Sequence, residues 1–160
     1  LLDVDVCGKH YFALNDVGLL RASFPGCIFV RTYCNAEEMF TAKGDGVIVT
    51  SPTGTTGYAL SAGGPVISPE LDCFLVQPIC THVLFQRPVV LSSDNVVRLE
   101  CKVAEGKEYQ AVIDGHIVLP LRDRVNISVK KAEKQALFIR FKNSSFWHTL
   151  RLKKCEWGEE

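Results

Sequence analysis

Between Gly44 and Pro65 the chain sets an acid, Asp45, ahead of a short apolar run, Val47-Ile48-Val49, and then a stretch crowded with glycine, serine and threonine. The apolar run reads as a strand that delivers a loop rich in hydroxyls and amides to one spot. Loops of this kind suit polyhydroxylated or phosphorylated ligands. Glycine lets the backbone approach closely, and N–H and O–H groups supply hydrogen bonds. A plain connection between strands needs only about five residues, so this loop is oversupplied for linking. Upstream, Asn15-Asp16 stands in the apolar stretch Tyr11 to Val17. Asn presents a donor and an acceptor together, as a purine edge requires, and Asp accepts two hydroxyl protons, as a ribose diol requires. Taken alone, the pair is read first as an Asx turn or cap.

The elements that must position these groups are strands. Asn95 to Lys102 alternates cleanly, with Val97, Leu99 and Cys101 on one face and Arg98, Glu100 and Lys102 on the other. Val125, Ile127 and Val129 alternate in the same way. Tyr109 to Ile113 and Ile117 to Leu121 flank Asp114-Gly115, which predicts a tight hairpin. Cys27 to Tyr33 and Leu137 to Phe141 are further β-branched and aromatic runs. Turns at Ser92 to Asn95 and Glu105 to Lys107 fall at the spacing of an all-β sandwich. Convincing amphipathic helices are missing, and the best candidate is a short one from Thr56 to Ala62, halted by Gly63-Gly64-Pro65. The expectation is a mainly β fold, a β-sandwich of many short antiparallel strands with one short helix. Residues 1–150 form the domain and 151–160 a polar C-terminal tail.

Composition narrows the function classes. A chain of 160 residues with 47% hydrophobic content is long enough for one sizeable core. Its 18 basic and 18 acidic residues are interspersed, which leaves no electrostatic footprint for nucleic acid or an anionic membrane. Arg151 to Lys154 reads as a solvated terminus. No apolar stretch approaches the roughly 20 residues of a bilayer span. Seven cysteines without C-x-x-C spacing argue against a disulfide framework or zinc cluster and suggest a reducing, cytoplasmic setting. His82, between apolar runs, is expected to be a core histidine. Phe146 and Trp147 are expected as core or interface anchors. His10 and His148 lack partners at metal spacing. The opening on Leu1 rather than Met suggests either that something was removed or that this is a piece of a longer protein.

Taken together, the motifs reverse the reading of Asn15-Asp16. Ala13-Leu14-Asn15-Asp16, Asp45-Gly46, Pro52-Thr53-Gly54-Thr55-Thr56-Gly57-Tyr58 and Leu60-Ser61-Ala62-Gly63-Gly64-Pro65 resemble the NAD kinase family. Gln77-Pro78-Ile79-Cys80-Thr81-His82, Arg87-Pro88-Val89-Val90-Leu91 and Asp114-Gly115 agree with that family's later motifs. The resemblance runs from Leu1 to about Trp147 and covers only the second of the family's two domains, the β-sandwich that carries most NAD contacts.

What the resemblance implies is transfer of the γ-phosphoryl group of ATP, or in some members polyphosphate, to the 2′-hydroxyl of the adenosine ribose of NAD, giving NADP. It further implies Mg2+ with ATP in the full-length enzyme and a homo-oligomer, dimer or tetramer. NAD-binding positions carried over are Asn15, Asp16, Lys43, Asp45, Thr56, Gly57, Tyr58, Ala59, Leu60, Ser61 and His116. Tyr58 would offer a stacking face, and Thr56 and Ser61 hydroxyls. Asp45 matches an acid that often reaches a neighbouring subunit's site. His116 follows Asp114-Gly115 where many members have Gln or Arg, and Gly57 stands where Ala is usual. Lys43-Gly44-Asp45-Gly46 looks like the catalytic Gly-Gly-Asp-Gly. Its place before the Thr-Ser-Pro-Thr-Gly loop marks it as the later binding motif, so no catalytic base is assigned to this chain. The competing reading is a non-catalytic dinucleotide-sensing or interaction module. A related lipid-kinase domain matches the Asn-Asp pair and the Thr-Gly-Tyr loop less closely.

Overall fold

A computed structural model describes residues 1–23, 25–101, 108–121, 124–139 and 145–156, with side chains as far as 152 in the last stretch. The strands are β1 (Leu2–Val6), β2 (Lys9–Ala13), β3 (Asp16–Arg21), β4 (Ile28–Cys34), β5 (Glu37–Gly44) and β6 (Gly46–Thr50). They continue as β7 (Cys73–Ile79), β8 (Val89–Ser92), β9 (Val97–Cys101), β10 (Tyr109–Ile113), β11 (Ile117–Leu121) and β12 (Val125–Lys131). Two helices, α1 (Tyr58–Ser61) and α2 (Phe146–Glu156), complete the described elements.

The strands form two six-stranded antiparallel sheets, ordered β2-β1-β12-β9-β4-β5 and β11-β10-β3-β6-β7-β8. Period-two alternation assembles them. Val4, Val30, Leu99 and Ile127 face inward from the first sheet, and Val17, Leu19, Val47, Val49, Val76, Ala111 and Ile113 from the second. All are essentially solvent-free. Each such side chain taken out of water contributes roughly 1.5–3 kcal/mol against chain entropy. This interlayer is the main core, and the mainly β sandwich expected from the sequence is what forms.

The second sheet is also covered on its outer side. Residues 53–67 fold back over it, and Ala59 and Ile67 pack on Ile48, Cys73, Leu75 and Ile79 as a small second core. That burial on both faces explains why every residue of β6 and β7 is buried and neither strand alternates, the polar Gln77 of β7 donating to the Ala62 and Pro78 carbonyls.

Four expectations need correction. The Thr56 to Ala62 helix is instead a 3-10 turn over Thr53–Thr56 and a single α turn over Tyr58–Ser61, broken at Gly57, whose φ/ψ of −99°/−126° is not helical. Residues 137–139 lie in no strand, and Leu137 and Ile139 are exposed although their types favour β structure. His82 is exposed beyond the end of β7 rather than in the core. Helix α2 was not anticipated, because Phe146, Trp147, Leu150 and Leu152 do not fall on one stripe; Trp147 is largely exposed. The turn at Glu105 to Lys107, and the ends of the Asn95 to Lys102 and Leu137 to Phe141 runs, lie outside the described residues. No described helix is long and apolar enough to cross a membrane.

Candidate functional site

Gly18 sits at the middle of β3, directly opposite Ile48 of β6 on one side and Val112 of β10 on the other. All three positions point to the outer face of the second sheet. Because Gly18 has no side chain, a depression opens there with Leu20, Ile48 and Val112 as an apolar floor. Its walls are Asn15 and Asp16 at the start of β3, Asp114 and Gly115 at the β10–β11 turn, and Thr56, Gly57 and Tyr58 on the folded-back loop. The cavity holds about 450 Å³, within the size range of small-molecule sites.

The Asn15-Asp16 corner is clamped from two sides. Asp114 stands at positive φ (48°), as does Gly115 (70°), so the hairpin turns sharply inward. The Asp114 carboxylate there accepts hydrogen bonds from the backbone N–H groups of Leu14, Asn15 and Asp16 at 2.7, 2.7 and 3.0 Å. On the carbonyl side, Thr50 Oγ1 and Ser51 N donate to the Asn15 oxygen at 2.9 and 2.8 Å, and Ser51 Oγ donates to the Leu14 oxygen at 2.6 Å. Gly54 packs so tightly on this corner that a Cβ there would collide with the Asn15 carbonyl and the Thr50 hydroxyl. Both peptide units are thus held while the Asn15 and Asp16 side chains are left facing the cavity.

Asp16 is the unusual group. Its residue is buried, yet its carboxylate has no hydrogen-bond or ionic partner among the described residues. Burial first, and the neighbouring Asp114 charge second, push its carboxyl up to about 6. A buried carboxylate is ordinarily paired, and one left unpaired in a cleft is a marker of a working site. Chemically, the cavity offers an acceptor for hydroxyl groups, the Asn15 amide, an apolar floor and the half-exposed Tyr58 ring.

The other positions singled out in the sequence are placed around this centre. Asn15, Asp16, Thr56, Gly57 and Tyr58 line the cavity together. Ala59 is buried beneath it in the second core, and Leu60 and Ser61 continue α1 away from the lining. His116 is exposed at the hairpin, with Nδ1 3.0 Å from the Asp114 carbonyl oxygen. Lys43 is exposed, its amine over the Phe29 ring at 5.6 Å. Asp45 is held by Arg21, whose Nε donates to Oδ1 at 2.6 Å, and that guanidinium lowers the Asp45 carboxyl below its ordinary value.

Sequence reasoning missed the supporting residues Asp114, Thr50, Ser51 and Gly54 and the floor at Gly18. Of the two hydroxyls credited to ligand binding, Thr56 and Ser61, the first is engaged by the loop itself, as is that of its neighbour Thr55. Thr55 Oγ1 donates to the Pro52 carbonyl at 2.7 Å and accepts from Ile67 N at 3.1 Å. Thr56 Oγ1 donates to the Thr53 carbonyl at 3.3 Å. The pairing of Asp114-Gly115 with an Asn-Asp corner was the available signal.

Comparison with known proteins identifies the family of this fold. The family model described as the ATP-NAD kinase C-terminal domain matches residues 14–141. The NAD kinase of Lachnoclostridium phytofermentans is 38% identical over 144 residues, covering 88% of this chain and 50% of that protein. That of Moorella thermoacetica is 38% identical over 146 residues, covering 91% and 47%. Among solved structures, an NAD kinase from Archaeoglobus fulgidus in complex with ATP superposes with a TM-score of 0.79 at 28% identity, covering 94% of this chain and 59% of that one. Yeast NADH kinase complexed with NADH gives 0.69 at 28% identity, covering 81% and 39%. The chain spans about half the length of the curated relatives it matches. It belongs to the NAD kinase family, as that family's C-terminal domain.

Proposed function

We propose that the cavity over Gly18 holds NAD for phosphorylation at the 2′-hydroxyl of its adenosine ribose, and that the full-length protein makes NADP from NAD and ATP. The observation that carries this reading is the buried, unpartnered Asp16 carboxylate at the mouth of an apolar-floored cavity in an NAD kinase fold. Asp16 accepts the ribose hydroxyls, Asn15 meets the purine edge, and Tyr58 lies against a ring. Thr56 and Gly57 close the wall, and Ala59 holds that wall on the sheet from below. Leu60, Ser61 and His116 border the site, where a long dinucleotide reaches past the cavity. Lys43 and Asp45 lie farther out, and the Arg21–Asp45 pair presents a fixed charge pattern to a neighbouring subunit in a dimer or tetramer.

The base that deprotonates the 2′-hydroxyl is supplied from outside this chain. Phosphoryl transfer rests on positioning and charge stabilisation, and this half does the positioning. Among the described residues no group of three or more His, Cys, Asp or Glu side chains could hold a metal ion, and the Asp114 carboxylate is engaged by three backbone N–H groups. Mg2+ enters with ATP on the other half of the enzyme. The setting is cytoplasmic, residues 1–150 act as the NAD-binding unit, and 151–160 lie beyond it.

The test is incubation of the full-length protein with NAD, ATP and Mg2+, with NADP measured enzymatically. NADP formation supports the reading. NAD binding without turnover would move the protein to a dinucleotide-sensing module, and absence of both would overturn the site.

A further inference from the structure

Asp114 is read most readily as a turn residue: it sits at positive φ between two paired strands, a common place for Asp. Its side chain does more than shape that turn. A carboxylate has two oxygens and about four lone-pair directions, and here Oδ1 takes the N–H groups of Asn15 and Asp16 while Oδ2 takes that of Leu14. Those residues are about a hundred positions away in sequence. The bond is made where β3 leaves the sheet and needs its amides satisfied by something other than a ladder partner. A further bond, from Asp114 N to the Asp16 carbonyl at 2.9 Å, closes the junction from the opposite direction.

We propose that Asp114 is a positioning residue for the NAD site, its carboxylate fixing the Asn15-Asp16 backbone so that both side chains enter the cavity. The inference rests on the reading of that cavity as the NAD site. Charge-assisted bonds to three successive N–H groups are roughly twice as strong as neutral ones. They set the direction of the two adjoining Cα–Cβ bonds, on which a bidentate contact to a diol depends. Asp114 also adds a second negative charge beside Asp16 and raises its carboxyl beyond what burial does. The titratable and charged groups that interact with Asp16 are Asp114 on the hairpin and Tyr58 on α1, which is itself influenced by Asp16; His116, on the same hairpin, lies against the Asp114 carbonyl oxygen. The abutting end of β6 brings only the neutral Thr50 and Ser51. Asp114 thus has two separable effects, one on geometry and one on the charge state of Asp16.

The test is Asp114→Asn in the full-length protein. Asn keeps the size and tolerates positive φ, but it replaces one acceptor with a donor that faces backbone N–H groups. The expected result is a KM for NAD raised roughly 30-fold, with kcat within about threefold and KM for ATP unchanged. The acid midpoint of NAD binding should move below the value of about 6 set by Asp16 in the parent. Amide hydrogen exchange at Leu14, Asn15 and Asp16 should accelerate at least about tenfold relative to the rest of the sheet.

Unchanged KM together with unchanged exchange would overturn the proposal. A raised KM with an unmoved midpoint would overturn the coupling to Asp16. If the parent protein binds no NAD, the functional reading fails, while hydrogen exchange still decides whether Asp114 braces the corner. Should Asp114→Asn not fold, the brace is read in the parent from through-hydrogen-bond couplings between those three amides and the Asp114 carboxyl carbon, whose absence refutes it.

Discussion

Two carboxylates are buried to nearly the same degree on opposite outer faces of the sandwich, Glu100 at 7% exposure on the first sheet and Asp16 at 8% on the second. Glu100 is surrounded by partners. Arg98 donates to it at 2.7 Å, Arg124 at 3.3 Å and the Tyr33 hydroxyl at 3.4 Å, and Arg98 stacks over the Tyr33 ring at 4.1 Å. Along the same face, Asp3 meets His10 at 2.8 Å and Lys130 at 3.5 Å. Asp16 has an apolar floor, a like charge nearby and, among the described residues, no cation. A face whose charges satisfy one another is finished as a surface. One that strands a carboxylate in a cleft is complete only when something else supplies the donors, and ligand hydroxyls are the natural candidates. The difference separates a sheet face whose charges are mutually satisfied from one that leaves an acceptor open.

Substituting the two carboxylates should break this comparison most visibly. Asp16→Asn removes an acceptor whose two charged bonds to a diol are worth on the order of 3 kcal/mol, so NAD affinity should fall about a hundredfold, read by calorimetry. Stability should move the other way. Burial holds the Asp16 carboxyl near 6, above its ordinary 3.8, so the folded state prefers the protonated form. Its contribution is full below the ordinary value and is lost as pH rises through about 6. Near neutral pH, Asp16→Asn should therefore raise unfolding free energy by roughly 1–3 kcal/mol in denaturant titration. Glu100→Gln should do the reverse, lowering stability by about 1–2 kcal/mol and leaving NAD affinity unaltered.

Gly54→Ala sharpens the contrast from the backbone side. Its methyl would strike the Asn15 carbonyl and the Thr50 hydroxyl, so both stability and NAD affinity should fall, by about 2–3 kcal/mol in the melt. Next in size is the pH dependence of binding. NAD affinity should decline as pH falls through the Asp16 value of about 6, because a protonated carboxyl accepts one hydroxyl fewer. The smallest effect is expected for Gly57→Ala. A Cβ there meets only the Gly54 carbonyl oxygen, at 3.3 Å. Stability should shift by no more than about 1 kcal/mol in either direction, with affinity unchanged.

The main fold was legible because its signals are local and redundant. Tyr109 to Ile113 and Ile117 to Leu121 pair over Asp114-Gly115 with the bounds read from the runs that flank that turn signal. The run at Leu137 misled because β propensity records fit to a neighbour, and residues 137–139 pair with none here. For the site, the motif loop lines the cavity at Thr56, Gly57 and Tyr58, while many of its hydroxyls serve the loop. Thr50, Ser51 and Thr55 are engaged in holding backbone, which composition cannot distinguish from readiness for ligand. The Asp114 brace spans about a hundred residues, and the Gly18 floor depends on cross-strand register with Ile48 and Val112. Neither is written in any window of the chain.

The most direct test of the central claim is calorimetric titration of the full-length protein and its Asp16→Asn variant with NAD near neutral pH, beside denaturant unfolding of both. The account predicts saturable binding to the parent, about a hundredfold weaker binding to the variant, and a more stable variant. Equal affinity of the two proteins, or a less stable variant, would contradict it.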